Sequence, residues 1–159
     1  MPQHRQLAAI LFTDIEGYTA MMQRDEPQAL ASVKKHRSVL ENIVKDHHGE
    51  ITEYFGDGSL CIFSSATEAV ACAVQVQQQM NAAPTVPLRI GIHIGEIFFD
   101  EKRVMGDGVN LASRIQSLGE DCLGDEIGIL QHRLVRLGRP DGAHDALARD
   151  CRKETARAA

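Results

Sequence analysis

Two aspartates stand where metal-dependent phosphate chemistry would need them. Asp14 closes the apolar run Leu7 to Phe12 and is followed by the short loop Ile15-Glu16-Gly17-Tyr18-Thr19. Asp57 is pinched between Gly56 and Gly58 in FGDGSLCIF, residues 55–63, with a strand-like run on each side. A strand-end carboxylate beside a hairpin-tip carboxylate can grip a divalent cation, with the Ile15 carbonyl as a further oxygen and phosphate or water completing the shell. The backbone N–H groups of Gly17, Tyr18 and Thr19, opening the next helix, can cradle a β- or γ-phosphate. The Tyr18 ring can pack on a base or ribose, or be an ordinary loop aromatic. Further on, Asn110 and Arg114 in VNLASR lie four apart and share a helix face. An asparagine that orients a ribose oxygen and an arginine that takes charge developing on phosphorus suit phosphoryl chemistry. Each residue alone reads more simply as a cap, a turn former or part of a solvated face. The set, in this order, points to chemistry.

Those residues need elements to carry them. Residues 7–13 form a short apolar run without helical spacing, which predicts a buried strand. Asp25, Pro27 and Gln28 read as a helix start, and Leu30, Val33, Leu40, Ile43 and Val44 recur at helical spacing up to Gly49. Residues 50–55 and 59–64 flank Gly56-Asp57-Gly58, a strong hairpin signal. Ser65 and Glu68 make a capping box for a helix striped by Ala69, Val70, Ala73, Val74 and Met80. A long strand, residues 88–99, has Leu88, Ile90, Ile92 and Ile94 on one face and Gly91 and Gly95 baring the other, where another element or a ligand comes close. Residues 107–118 predict a third helix, and 126–130 one more strand. The order βαββαβαβ implies an α+β fold of ferredoxin-like, palm-like topology: an antiparallel or mixed sheet backed by helices.

Composition narrows the classes. At 159 residues, 43% apolar and 25% charged, the chain suits one soluble domain with a real core. The net charge of −5 argues against a nucleic-acid binder, and any polyphosphate site then needs metal or local basic groups. No apolar run nears the roughly 18 residues that span a bilayer, and no signal peptide is visible, so the expected compartment is the cytoplasm. Cys61, Cys72, Cys122 and Cys151 form no CxxC pair and read as reduced thiols. Residues 131–159 differ: seven Arg or Lys against four Asp or Glu give a net +3, leaving −8 for the rest. We therefore expect a domain over residues 1–130 and a divergent basic tail, a surface helix or partly disordered, over 131–159. GxxxxGK[ST], GxGxxG, HExxH and nucleophile-elbow motifs are absent.

FTDIEGYT, then FGDGSLCIF about forty residues later, then RIGIHIGE and GDGVNLASR together resemble the class III nucleotidyl cyclase domain, the family of adenylate and guanylate cyclases. The likeness covers residues 7–118. It implies a palm-like fold and a head-to-tail homodimer with its sites at the interface. Asp14, Asp57 and the Ile15 carbonyl would hold two metals, Mg²⁺ or Mn²⁺, while Asn110 and Arg114 would reach in from the partner chain. The implied reaction turns ATP or GTP into the 3′,5′-cyclic monophosphate and pyrophosphate. A palm-type diguanylate cyclase is disfavoured, because GDGS is the nearest approach to a GG[DE]EF loop.

Two departures matter. Glu53 stands where the family's base-reading lysine would be, and Arg103 where adenylate cyclases resemble one another in carrying an aspartate. Glu53 can accept from the N1–H and N2–H of guanine and Arg103 can donate to its O6, which tilts the expectation towards GTP. The chain after Gln131 does not resemble the family's closing segment with its phosphate-binding lysine, and Lys153 is the one lysine there. That departure keeps open a second reading, a catalytically silent cyclase-like domain that binds nucleotide or a partner.

Overall fold

Residues 5–100 and 103–117 are described by the computed structural model. The apolar run that ends at Asp14 extends as β1 (Arg5–Ile15), the middle strand of a five-stranded sheet. Its partners are β2 (Glu50–Phe55), β3 (Gly58–Phe63), β4 (Leu88–Asp100) and β5 (Arg103–Met105), in the order β2-β3-β1-β4-β5. Every pairing is antiparallel, so among the described residues the sheet is antiparallel rather than mixed.

Four helices back the sheet, giving the expected α+β layer. They are α1 (Tyr18–Arg24), α2 (Glu26–Asp46), α3 (Ala66–Asn81) and α4 (Asp107–Ser117). Local chemistry sets their starts. The Asp25 carboxylate accepts from the Gln28 N–H at 3.1 Å, and the Ser65 hydroxyl accepts from the Glu68 N–H at 3.4 Å, each satisfying an otherwise orphaned donor. The turn between β2 and β3 is the two-residue tip Gly56-Asp57, with Gly56 at φ 58°, a left-handed conformation that glycine adopts freely.

Because β1 is covered on both sides, adjacent residues feed different cores. Ala9, Leu11 and Ile15 join Leu40, Ile43 and Val44 of α2, Cys72, Val76 and Met80 of α3, and Leu88, Ile90 and Ile92 of β4. Ala8 and Ile10 join Leu60, Ile62, Ile97, Val104 and Ala112 on the opposite side, under α4. Leu60 and Ile62 of β3 share that cluster with Val104 of the far strand β5, so the sheet curls around α4.

Gly91 and Gly95 are bare because α4 lies on them. A Cβ on Gly91 would stand 2.4 Å from the Gln116 nitrogen, and one on Gly95 would stand 3.0 Å from the Gly108 Cα. The helix occupies the space that side chains would have filled.

One local expectation needs correction, and the structure adds two details. Leu30, placed in the buried stripe of α2, is 53% exposed; Ala29, Ser32 and His36 take the inward positions instead. The helix that Gly17 to Thr19 open is the short α1, and the three-residue β5 had no sequence signal long enough to read. Ile94 continues the alternation of β4 but is 46% exposed, beyond the cover of α2 and α3. Cys61 and Cys72 are buried free thiols, and burial pushes both up to about 12. The strand expected over 126–130, the tail over 131–159, Cys122 and Cys151 lie outside the described residues.

Candidate active site

The end of β1 and the hairpin tip meet. The Ile15 N–H donates to Asp57 Oδ2 at 3.1 Å, and the Asp14 carboxylate lies against that of Asp57. Burial first, then a hydrogen bond and like-charge repulsion from Asp14, push the Asp57 carboxyl up to about 6. Two carboxylates far apart in the chain thus share one place at the end of the sheet.

The face of each strand decides what else reaches them. Asp14 has the parity of Ile10 and Phe12, so it leaves the sheet on the α4 side. Arg89 is its cross-strand partner on β4 and is ion-paired with Asp14 Oδ2. The Gln116 amide of α4 donates to the same oxygen at 3.4 Å. Phe12 and Phe55 stack with ring centroids 5.5 Å apart beside this site.

Under the carboxylates, on the other face, runs a buried polar cluster. Thr13 Oγ1 is 2.8 Å from His36 Nε2 and 2.6 Å from Ser59 Oγ. All three side chains are buried, and they join β1, α2 and β3 directly beneath Asp14 and Asp57. Burial first and then Arg37 push His36 down to about 4, so it sits neutral in the network. Arg37 supports the hairpin from outside, donating to the Gly56 carbonyl at 3.4 Å and lying 4.8 Å over the Tyr54 ring.

The remaining residues singled out from the sequence take varied positions. Asn110 and Arg114 share the exposed side of α4, and among the described residues neither side chain makes a hydrogen bond or ion pair. Gly17, left-handed at φ 68°, precedes α1, and Thr19 is exposed. Tyr18 is half-buried and packs against the core shared by α2 and α3.

Glu53 reaches the α4 side through an irregularity. Plain alternation would put Ile51 and Glu53 on one face, but a β-bulge falls between them. Ile51 and Tyr54 then both pack on the α2–α3 core, while Glu53 pairs with Leu60 of the α4-side cluster. Arg103 neighbours Val104, the residue of β5 turned into that same cluster, and so leaves the sheet on the opposite face. Among the described residues Glu53 and Arg103 form no ion pair.

Sequence reasoning missed Arg89, Gln116 and the Thr13–His36–Ser59 cluster. Arg89 carried one signal: its parity with Gly91 and Gly95 put it on the same bare face. The others depend on contacts between distant elements. Among the described residues no group of three or more His, Cys, Asp or Glu gathers that could hold a metal. The donor set is two carboxylates with a neighbouring backbone carbonyl, which fits Mg²⁺ or Mn²⁺ shared with phosphate oxygens better than a closed all-protein cage. Among the described residues no helix is long and apolar enough to cross a membrane.

Comparison with known proteins identifies the family and the fold. Residues 1–132 match the family model described as the adenylate and guanylate cyclase catalytic domain. The Rhizobium meliloti (strain 1021) protein named "Putative adenylate cyclase 3" is 40% identical over 124 residues, covering 73% of this chain and 21% of that protein. The Anabaena cylindrica adenylate cyclase is 28% identical over 133 residues, covering 69% of this chain and 26% of its own length. The chain therefore spans only about a fifth to a quarter of these curated relatives. The solved adenylate/guanylate cyclase/hydrolase from Silicibacter pomeroyi aligns with TM-score 0.65 at 33% identity, covering 72% of each chain. The guanylyl cyclase Cya2 aligns with TM-score 0.61 at 28% identity, covering 74% of this chain and 72% of that one. With its carboxylates meeting at the end of β1, its fold and its matched length, this chain belongs to the adenylate and guanylate cyclase catalytic domain family.

Proposed function

We propose that the chain is a nucleotide cyclase that converts a nucleoside triphosphate into its 3′,5′-cyclic monophosphate and pyrophosphate. The ribose 3′-oxygen forms a bond to the α-phosphorus, the bond to the pyrophosphate oxygen breaks, and the hydroxyl proton is released. The observation that carries this reading is the meeting of Asp14 and Asp57. Those carboxylates, with the Ile15 carbonyl, would hold Mg²⁺ or Mn²⁺. The metal, when bound, supplies charge neutralisation on the phosphates and a more acidic 3′-hydroxyl.

Asn110 and Arg114 are exposed on a helix whose other side is buried against the sheet. That placement supports a head-to-tail homodimer in which they act on the partner's substrate, the asparagine orienting the ribose and the arginine neutralising the transition state. The backbone of Gly17 to Thr19 follows Asp14 directly and is our choice for the phosphate cradle. Glu53 shares the face of Asp14 and is our choice for reading the base. Arg103 leaves the opposite face, so the preference for GTP over ATP rests on Glu53. The relatives carry adenylate as well as guanylyl names, and pocket chemistry decides our choice.

The test is product analysis by mass spectrometry with ATP and GTP in competition, in the presence of Mg²⁺ or Mn²⁺. Cyclic GTP should predominate, and Asp57→Ala should abolish it. Undiminished turnover in Asp57→Ala would remove the metal assignment. Tight nucleotide binding without pyrophosphate release would make this a silent member of the family.

A further inference from the structure

Asp14 does not stand free at the end of its strand. Arg89 lies directly opposite in the β1–β4 register, with its side chain only 13% exposed, and its guanidinium is paired with Asp14 Oδ2. The Gln116 amide reaches the same oxygen from α4 at 3.4 Å. One oxygen of the carboxylate is thus engaged by two elements, while Asp57 approaches from the hairpin.

We propose that Arg89 is a positioning residue that also serves as a built-in counter-cation, competing with divalent metal for Asp14 and so setting the metal affinity of the nucleotide-free chain. This rests on the metal reading of Asp14 and Asp57. Two adjoining carboxylates repel, and a guanidinium on one of them relieves that repulsion. A metal arriving at the same pair meets a fixed positive charge at contact distance and must displace it or bind beside it. Nucleotide phosphates bring negative charge that offsets the crowding, so metal and nucleotide would bind cooperatively. Gln116 meanwhile keeps Asp14 oriented when the guanidinium moves.

A purely structural salt bridge predicts something different. Breaking it would loosen Asp14 and leave metal binding unchanged or weaker. Competition predicts the opposite sign: removing the positive charge tightens the metal although a favourable pairing has been lost.

The experiment is Mn²⁺ titration of the nucleotide-free chain, read by electron paramagnetic resonance of the free ion, for the wild type, Arg89→Gln, Arg89→Lys and Asp57→Asn. Arg89→Gln should bind Mn²⁺ roughly tenfold more tightly than wild type, the size expected for one unit charge near a partly screened site. Arg89→Lys, which keeps the charge, should stay within about threefold of wild type. Turnover should split accordingly, with Arg89→Gln needing less metal for half-maximal rate but reaching a lower kcat. An unchanged or weaker Mn²⁺ affinity in a folded Arg89→Gln chain overturns the inference.

Should Arg89→Gln fail to fold, the wild type carries the test. The ¹⁵N resonance of the Arg89 Nε, identified by its loss in Arg89→Lys, should shift during a Mg²⁺ titration with the midpoint of metal binding. A resonance that stays in place overturns the inference. If the wild type binds no Mn²⁺, the metal reading and this inference fall together. If it binds and Asp57→Asn does not, but Arg89→Gln is no tighter, only the competition fails.

Discussion

The Ile15 backbone N–H donates to the Asp57 carboxylate at 3.1 Å, tying the tip of one hairpin to the last residue of the central strand. Burial, then the hydrogen bond and like charge of neighbouring Asp14, push the Asp57 carboxyl up to about 6, although the Ile15 N–H itself favours the ionised form. A carboxyl raised above its ordinary 3.8 holds its proton more tightly folded than unfolded. Its contribution to stability is therefore present at low pH and is lost as pH rises from about 4 to 6. Metal binding requires the ionised form, so the proposed cyclase should lose activity below about pH 6. Raising the metal concentration should move that limb to lower pH, because cation and proton compete for one group. Initial rates across pH at two Mg²⁺ concentrations check this; a limb that ignores metal would count against Asp57 as ligand.

Beneath the same carboxylates, His36 gives stability the opposite pH dependence. Burial holds it at about 4, below its ordinary 6.5, so the unfolded chain binds more protons between those values. Its contribution is complete above pH 6.5 and falls away as pH drops towards 4, by roughly 3 kcal/mol at most. Urea unfolding across pH 4–7 should show this slope in the wild type and a flatter one in His36→Phe. Thr13→Val would leave His36 and Ser59 short of a buried partner and should cost about 1–3 kcal/mol at neutral pH.

Gly91 should tolerate no side chain. Its added Cβ would meet the Gln116 backbone at 2.4 Å and the Ala112 carbonyl at 2.8 Å, and neither backbone can swing aside as a side chain can. We expect Gly91→Ala to lift α4 and destabilise the domain by about 1–3 kcal/mol. Thermal melts read the loss of stability. Turnover should fall more than stability does, because the displaced helix carries Asn110, Arg114 and Gln116.

Glu53→Lys should move base preference from GTP towards ATP. A lysine there donates where a glutamate accepts, and one mispaired buried polar group is worth about 1–3 kcal/mol, roughly 5- to 150-fold in relative kcat/KM. Competition assays with both nucleotides read the ratio directly. An unchanged ratio would remove Glu53 from the base pocket.

Much of this architecture is legible in the sequence because it is local. The Gly-Asp-Gly tip, the Asp25 and Ser65 caps and the glycine-bare face of β4 are each written within a few residues. So is the pair of aspartates, although only the fold shows that they touch. What could not be read depends on register between distant segments. Arg89 meets Asp14 across 75 residues of chain and Gln116 meets it across 102. His36 looks like an ordinary helix histidine until β1 and β3 pack against it. Leu30 misled because hydrophobicity does not reveal which stripe of α2 faces inward when Ala29, Ser32 and His36 form it.

The bulge in β2 has a bearing on how relatives are read against one another. Past it the strand runs out of phase, so position numbers before and after the irregularity name opposite sides of the same ribbon. Any cyclase lacking that extra residue would present its neighbour at the spot Glu53 occupies here. Column-by-column inference of base choice therefore holds only between chains that keep the same hitch.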